Sequence, residues 1–148
     1  VTRRGVLEAL KVLTTAHDQT LERARVDVYC AALDDLNDDA LMAAARTLVR
    51  VSKWFPKPAE IREEVIVRQV GDDLPDGATA WAQVCEQIRA TGRAETPEWG
   101  NDLTGAAVKA AGGWRTLCDS GRPDLDRRRF LDEYARLLAA ERRARMAG

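Results

Sequence analysis

Residues 37–70 read NDDALMAAARTLVRVSKWFPKPAEIREEVIVRQV. Leu41, Ala44, Ala45, Leu48, Val49 and Ser52 recur at three- and four-residue intervals, which places them on one face of a helix, and the alanines among them let a neighbouring helix approach closely. Asn37 or Asp38 can cap its start, where the carboxylates of Asp38 and Asp39 also meet the positive end of the helix dipole. Lys53-Trp54-Phe55-Pro56-Lys57-Pro58 interrupts the period, because proline lacks an amide donor and restricts the residue before it. Pro58 then suits the first turn of a second helix, with Glu60 near its start and Ile61, Val65, Ile66 and Val70 continuing the apolar face. Two helices around a proline-ruled turn set the fold class as all-α.

Working toward the start, Val6, Leu7, Leu10 and Leu13 predict a helix over 3–16, with Thr2 as its cap. A turn at His17-Asp18-Gln19 leads to Thr20, a second candidate cap. A helix is expected from Leu21 to about Asp35, with Leu21, Val28, Ala32 and Leu36 along one edge of its apolar face and Ala24, Tyr29 and Leu33 widening it. Packing there must override the strand preference of Val26, Val28 and Tyr29. These four helices make an N-terminal subdomain over residues 1–71.

Asp72-Asp73-Leu74-Pro75-Asp76-Gly77 is the clearest break in the apolar period. A C-terminal subdomain is expected over 78–148. Its first helix spans about Thr79 to Thr91, presents Trp81, Val84, Cys85 and Ile88, and is ended by Gly92. A loop follows to Gly100. Asn101 opens a helix packing through Leu103, Ala106, Ala107, Val108 and Ala110, and Gly112-Gly113 gives the chain room to turn before Trp114, Leu117 and Cys118. After Gly121 and Pro123, a last helix is expected from Asp124 or Asp126 to near Met146, carrying Phe130, Tyr134, Leu137 and Leu138. Trp81, Trp99, Trp114, Phe130 and Tyr134 are the expected anchors of this half. The fold expected is an all-α, compact multi-helix bundle of two packed helical subdomains.

Composition narrows the function classes. Of the 148 residues 45% are apolar and 32% charged, a balance that fits a folded chain with its own core. No apolar run approaches the ~20 residues that span lipid, and no secretory stretch follows the opening residues, so a cytoplasmic protein without a membrane partner is expected. Cys30, Cys85 and Cys118 are odd in number and far apart, which suits apolar packing better than a disulfide framework. Twenty-three basic residues against 24 acidic ones leave no net charge that would drive nucleic-acid binding by the whole molecule. The distribution is uneven, however. Residues 27–39 hold five aspartates and no base, while residues 122–148 hold eight arginines against five acids.

Chemistry-bearing patterns are weak. His17 is the single histidine, beside Asp18 in a turn, and a surface or capping role suits it better than acid–base work. Asp34-Asp35 and Asp38-Asp39 straddle a helix boundary and are explained by solvation and capping. Walker, dinucleotide-glycine and H-E-x-x-H patterns are missing from the sequence. No enzyme activity, catalytic residue, metal site or cofactor is therefore expected. What remains is surface. Trp54 and Phe55 point in different directions, so one can anchor a loop while the other meets a partner. Arg127, Arg128, Arg129, Arg142 and Arg143 give the last helix a basic surface for phosphates or an acidic protein, unless Asp132, Glu133 and Glu141 neutralise it as ion pairs.

Tyr29, Leu33-Asp34-Asp35-Leu36 and Trp54-Phe55-Pro56-Lys57-Pro58-Ala59-Glu60-Ile61 together resemble bacteriophage replicative-helicase loader and inhibitor proteins, over about residues 3–70. The resemblance implies a helical N-terminal region and binding to a hexameric replicative helicase, which such proteins deliver to phage origin DNA while restraining its activity. It implies that Tyr29, Leu33, Phe55, Pro56 and Ile61 shape the region and do no catalysis. The corresponding setting is the cytoplasm of a phage-infected or prophage-bearing bacterium. The function expected is a phage DNA-replication adaptor with a replicative helicase as partner. The alternatives are a helical DNA-binding regulatory protein, and a non-enzymatic phage structural or assembly protein whose self-association buries Trp54 or Trp114.

Overall fold

The computed structural model describes residues 3–148, which contain helices and connecting turns and, among the described residues, no strand. The expected cap at Thr2 lies outside the described residues. The chain divides into two units, one made of the chain up to Val70 with Arg145–Gly148, the other of Gly71–Ala144.

In the first unit, α1 (Arg3–Ala16), α2 (Arg23–Leu33), α3 (Asp38–Val51) and α4 (Pro58–Asp73) supply the core. α1 buries Val6, Ala9, Leu10 and Leu13 against α3, which buries Leu41, Ala44, Ala45 and Leu48. Asn37 caps α3, its side-chain oxygen accepting from the amides of Asp39 and Ala40 at 2.9 and 3.2 Å. The expected apolar face of α2 holds at Tyr29, Leu33 and Leu36, with Leu21 and Ala32 partly buried against the same core, and fails at two positions. Val26, Tyr29, Cys30 and Leu33 turn inward at the spacing i, i+3, i+4, i+7, while Ala24 and Val28 face solvent. α2 also begins at Arg23 after Glu22, so Thr20 is not its cap. In α4, Ile61, Val65, Ile66 and Val70 are all buried, as the sequence spacing requires.

α4 continues through Asp72 to Asp73, so the interruption is confined to Leu74-Pro75-Asp76. The last four residues, expected with the second subdomain, group with the first unit. There the Arg62 Nε donates to the Met146 carbonyl at 3.0 Å.

The second unit contains α5 (Gly77–Ala90), α6 (Asp102–Ala110), α7 (Trp114–Asp119) and most of α8 (Pro123–Ala147). α5 starts two residues before the expected Thr79, because Asp76 caps it by accepting from the Thr79 amide at 2.7 Å. In α6 the inward positions are Thr104, Ala107 and Val108, while Ala106 and Ala110 are exposed. An aromatic set fills this core. Trp81 and Phe130 lie 5.4 Å apart between ring centres, Phe130 and Tyr134 5.7 Å, Trp99 and Trp114 5.8 Å. The Trp114 indole donates to the Gly92 carbonyl at 3.0 Å, and the Tyr134 hydroxyl donates to the Pro75 carbonyl. Both contacts satisfy a polar atom carried into an apolar core and pin a connecting loop.

Candidate partner-binding surfaces

The 52–57 turn of the first unit holds one aromatic in and one out. Phe55 is buried beneath the turn, edge-on to Tyr29 and to His17 at ring-centre distances of 5.9 and 5.8 Å. It therefore supports the turn and is withdrawn from the candidate contact residues. Trp54 is 80% exposed. Its backbone is nonetheless fixed: the Ser52 hydroxyl donates to the Trp54 carbonyl at 2.7 Å, and the Tyr29 hydroxyl donates to the Pro56 carbonyl at 2.8 Å. A large aromatic side chain is thus presented on an ordered turn between the exposed cations Lys53 and Lys57. Fixing the backbone in advance reduces the ordering cost that a partner would otherwise have to offset.

His17 has a capping role. Its Nδ1 faces the Leu13 carbonyl at 3.0 Å, at the end of α1, and its Nε2 faces the Ser52 carbonyl at 3.2 Å. The ring thereby links the end of α1 to the turn that carries Trp54.

Arg62, which the sequence pattern does not single out, organises the other end of the first unit. Only 13% of its side chain is exposed, and it meets both oxygens of Asp35 at 2.6 Å in a two-pronged pair. The same guanidinium donates to the Ala32 carbonyl at 3.1 Å and the Met146 carbonyl at 3.0 Å. Cations at helix C-termini are favoured by the dipole, and these two carbonyls are among those a helix leaves unpaired. The Arg62 hydrogen bond, reinforced by its charge, holds the Asp35 carboxyl below its usual range. With every contact of Arg62 made to its own unit, the cluster reads as a structural fastener.

On α8, Arg127, Arg128 and Arg129 are exposed, as are Arg142 and Arg143. Among the described residues none of the five forms an ion pair. Glu133 is taken by Arg136 at 2.8 Å. The direct ion pairs expected from Asp132, Glu133 and Glu141 are therefore not formed with these five side chains, although Asp132 lines the same surface clefts as Arg127, Arg128 and Arg129. The pairs Arg128-Arg129 and Arg142-Arg143 are separated by 14 positions, about 21 Å along a helix and within about 40° of the same face. α8 thus carries two cationic points on one side, with Arg127 about 100° away.

Another feature of the second unit was not expected. Trp81, Cys85 and Ile88, read from sequence as packing residues, are only half-buried because they line a cavity of about 240 Å³ with Leu117 and the turn at Gly121-Arg122-Pro123. The i, i+4, i+7 pattern was visible; that the neighbouring helix leaves it partly uncovered was not. Burial raises the Cys85 thiol above its ordinary value, with Arg89 opposing, and burial likewise raises that of Cys118.

Among the described residues, no three His, Cys, Asp or Glu side chains converge, and no helix is long and apolar enough to cross a membrane. No family model, curated protein or solved structure matches the chain.

Proposed function

We propose that this chain is a non-catalytic adaptor of bacteriophage DNA replication that binds a replicative helicase and loads or restrains it. The observation that carries the reading is the basic side of α8, whose arginine pairs are exposed and have no carboxylate partner among the described residues. Such a surface suits an acidic protein face, where charge complementarity speeds encounter and fixes register. The sequence resemblance supplies the identity of the partner. The residues that carry the resemblance also work together physically: Tyr29 packs on Phe55, its hydroxyl holds Pro56, and Leu33 and Ile61 lie in the same core. A purified mixture of the folded chain with the replicative helicase of a host bacterium should elute as a stoichiometric complex at low salt. Separate elution of two folded proteins would refute the proposal.

The same arginines favour a second reading, a helical DNA-binding regulator. Binding to duplex DNA would then persist without helicase and fall steeply with added salt as counterions are released. In a third reading, assembly by self-association, Trp54 is the aromatic available for burial, since Trp114 already lies in the core of its unit.

A further inference from the structure

The cavity of the second unit has the build of a socket. Trp81, Cys85 and Ile88 form one wall from a single stripe of α5, and Leu117 and Pro123 close the other side. The walls are apolar, yet the rim carries two guanidiniums, Arg89 and Arg122, both exposed. Among the described residues neither has an ion-pair partner. The one acid lining the cavity, Asp126, is buried and already accepts a hydrogen bond from the Ser120 hydroxyl. Asp119, on α7, faces Arg93 at 3.6 Å. With two guanidiniums against the Asp126 carboxylate the cavity keeps a net positive charge, which is complementary to an apolar group flanked by anions.

Size selects the kind of occupant. Pockets for free small molecules run to about 300–1,000 Å³, and this one, at about 240 Å³, matches a single large side chain. Charge selects against a second copy of the chain. Trp54 is the exposed aromatic that could fill the hole, but it sits between Lys53 and Lys57 and would bring two cations to a cationic rim. We propose that the α5–α7–α8 cavity is the anchor socket for a tryptophan-sized apolar side chain on an acidic segment of a partner protein, with Arg89 and Arg122 pairing the flanking carboxylates. This goes beyond the adaptor reading and does not depend on which protein carries the segment.

The test uses the full chain, isotope-labelled, titrated with the peptide Glu-Glu-Trp-Glu-Glu blocked at both ends and followed by NMR. Saturable shifts are expected at the Trp81 indole and the amides of Ile88 and Leu117. Replacing the peptide tryptophan by alanine should weaken binding at least about tenfold, and replacing its glutamates by lysine should abolish it. Arg89→Glu and Arg122→Glu should each weaken it several-fold, and Cys85→Phe, which fills the hole, should abolish it. The two rim changes are at exposed positions, so they decide the matter even where Cys85→Phe fails to fold. No saturable binding up to about 1 mM overturns the proposal, as do equal binding of the alanine or lysine peptide and shifts centred elsewhere. Indole-3-acetate binding as tightly as the peptide would make this a small-molecule site and overturns the assigned occupant.

Discussion

Arg62 shows most clearly how one side chain can hold a fold that its neighbours in sequence do not announce. It is nearly buried and serves Asp35, the Ala32 carbonyl and the Met146 carbonyl at once. Arg62→Ala leaves those acceptors without their donor and should cost about 2–3 kcal/mol in urea unfolding followed by circular dichroism. Arg62→Lys should recover only part of this, since an ammonium cannot reproduce the two-pronged geometry. The pH dependence follows from the lowered Asp35 carboxyl. Its contribution is complete above the unfolded-chain value of about 3.9 and is lost as pH falls through the lower folded value. The stability difference between the native chain and Asp35→Asn should hold steady from neutrality to about pH 5 and narrow below about pH 4. Because Asp35 is half-exposed, that difference is small and shrinks with salt. The thiols behave differently. With Cys85 and Cys118 both raised by burial, alkylation by iodoacetamide at pH 7 should be slower than that of a free cysteine and should accelerate with pH into the alkaline range.

Elements were legible where the chain carries strong punctuation. Asn37 before α3, Pro58 inside α4 and Asn101 before α6 each do what their chemistry predicts. Gly112-Gly113 does so in detail: the Gly113 amide reaches the Val108 carbonyl at 3.0 Å and the Gly112 amide the Lys109 carbonyl at 3.3 Å, closing α6 with both residues at positive φ. Gly112→Ala should therefore destabilise the second unit by about 1 kcal/mol or more, and a thermal melt showing no loss would count against this closure. Legibility failed where local signals conflict. The inward face of α2 was legible at Tyr29, Leu33 and Leu36 but not at its valines, because Val26 and Val28 lie on opposite sides of the helix and only packing against the core selects Val26. The start of α5 lies two residues before Thr79 because Asp76 caps the helix by accepting the Thr79 amide. The socket was illegible for a related reason: periodicity reports which residues share a face but not how completely a neighbour covers it.

For the molecule as a whole, near-zero net charge conceals an uneven surface. On α8 Arg127, Arg128, Arg129, Arg142 and Arg143 are exposed and, among the described residues, form no ion pair, although Asp132 lines the same surface clefts as the first three. The all-α class was readable from end to end, whereas the grouping of the last four residues with the first unit, where Arg62 holds the Met146 carbonyl, was not. If DNA is the partner, the slope of log affinity against log salt should fall by about one for each α8 arginine replaced that contacts a phosphate. Whether α8 is the charged docking side of the proposed helicase adaptor is decided by calorimetric titration of the helicase with the native chain and with Arg128→Glu/Arg129→Glu/Arg142→Glu/Arg143→Glu. Saturable binding by the native chain and at least about tenfold weaker binding by the equally folded variant are expected. Equal affinity of the two proteins would contradict that role.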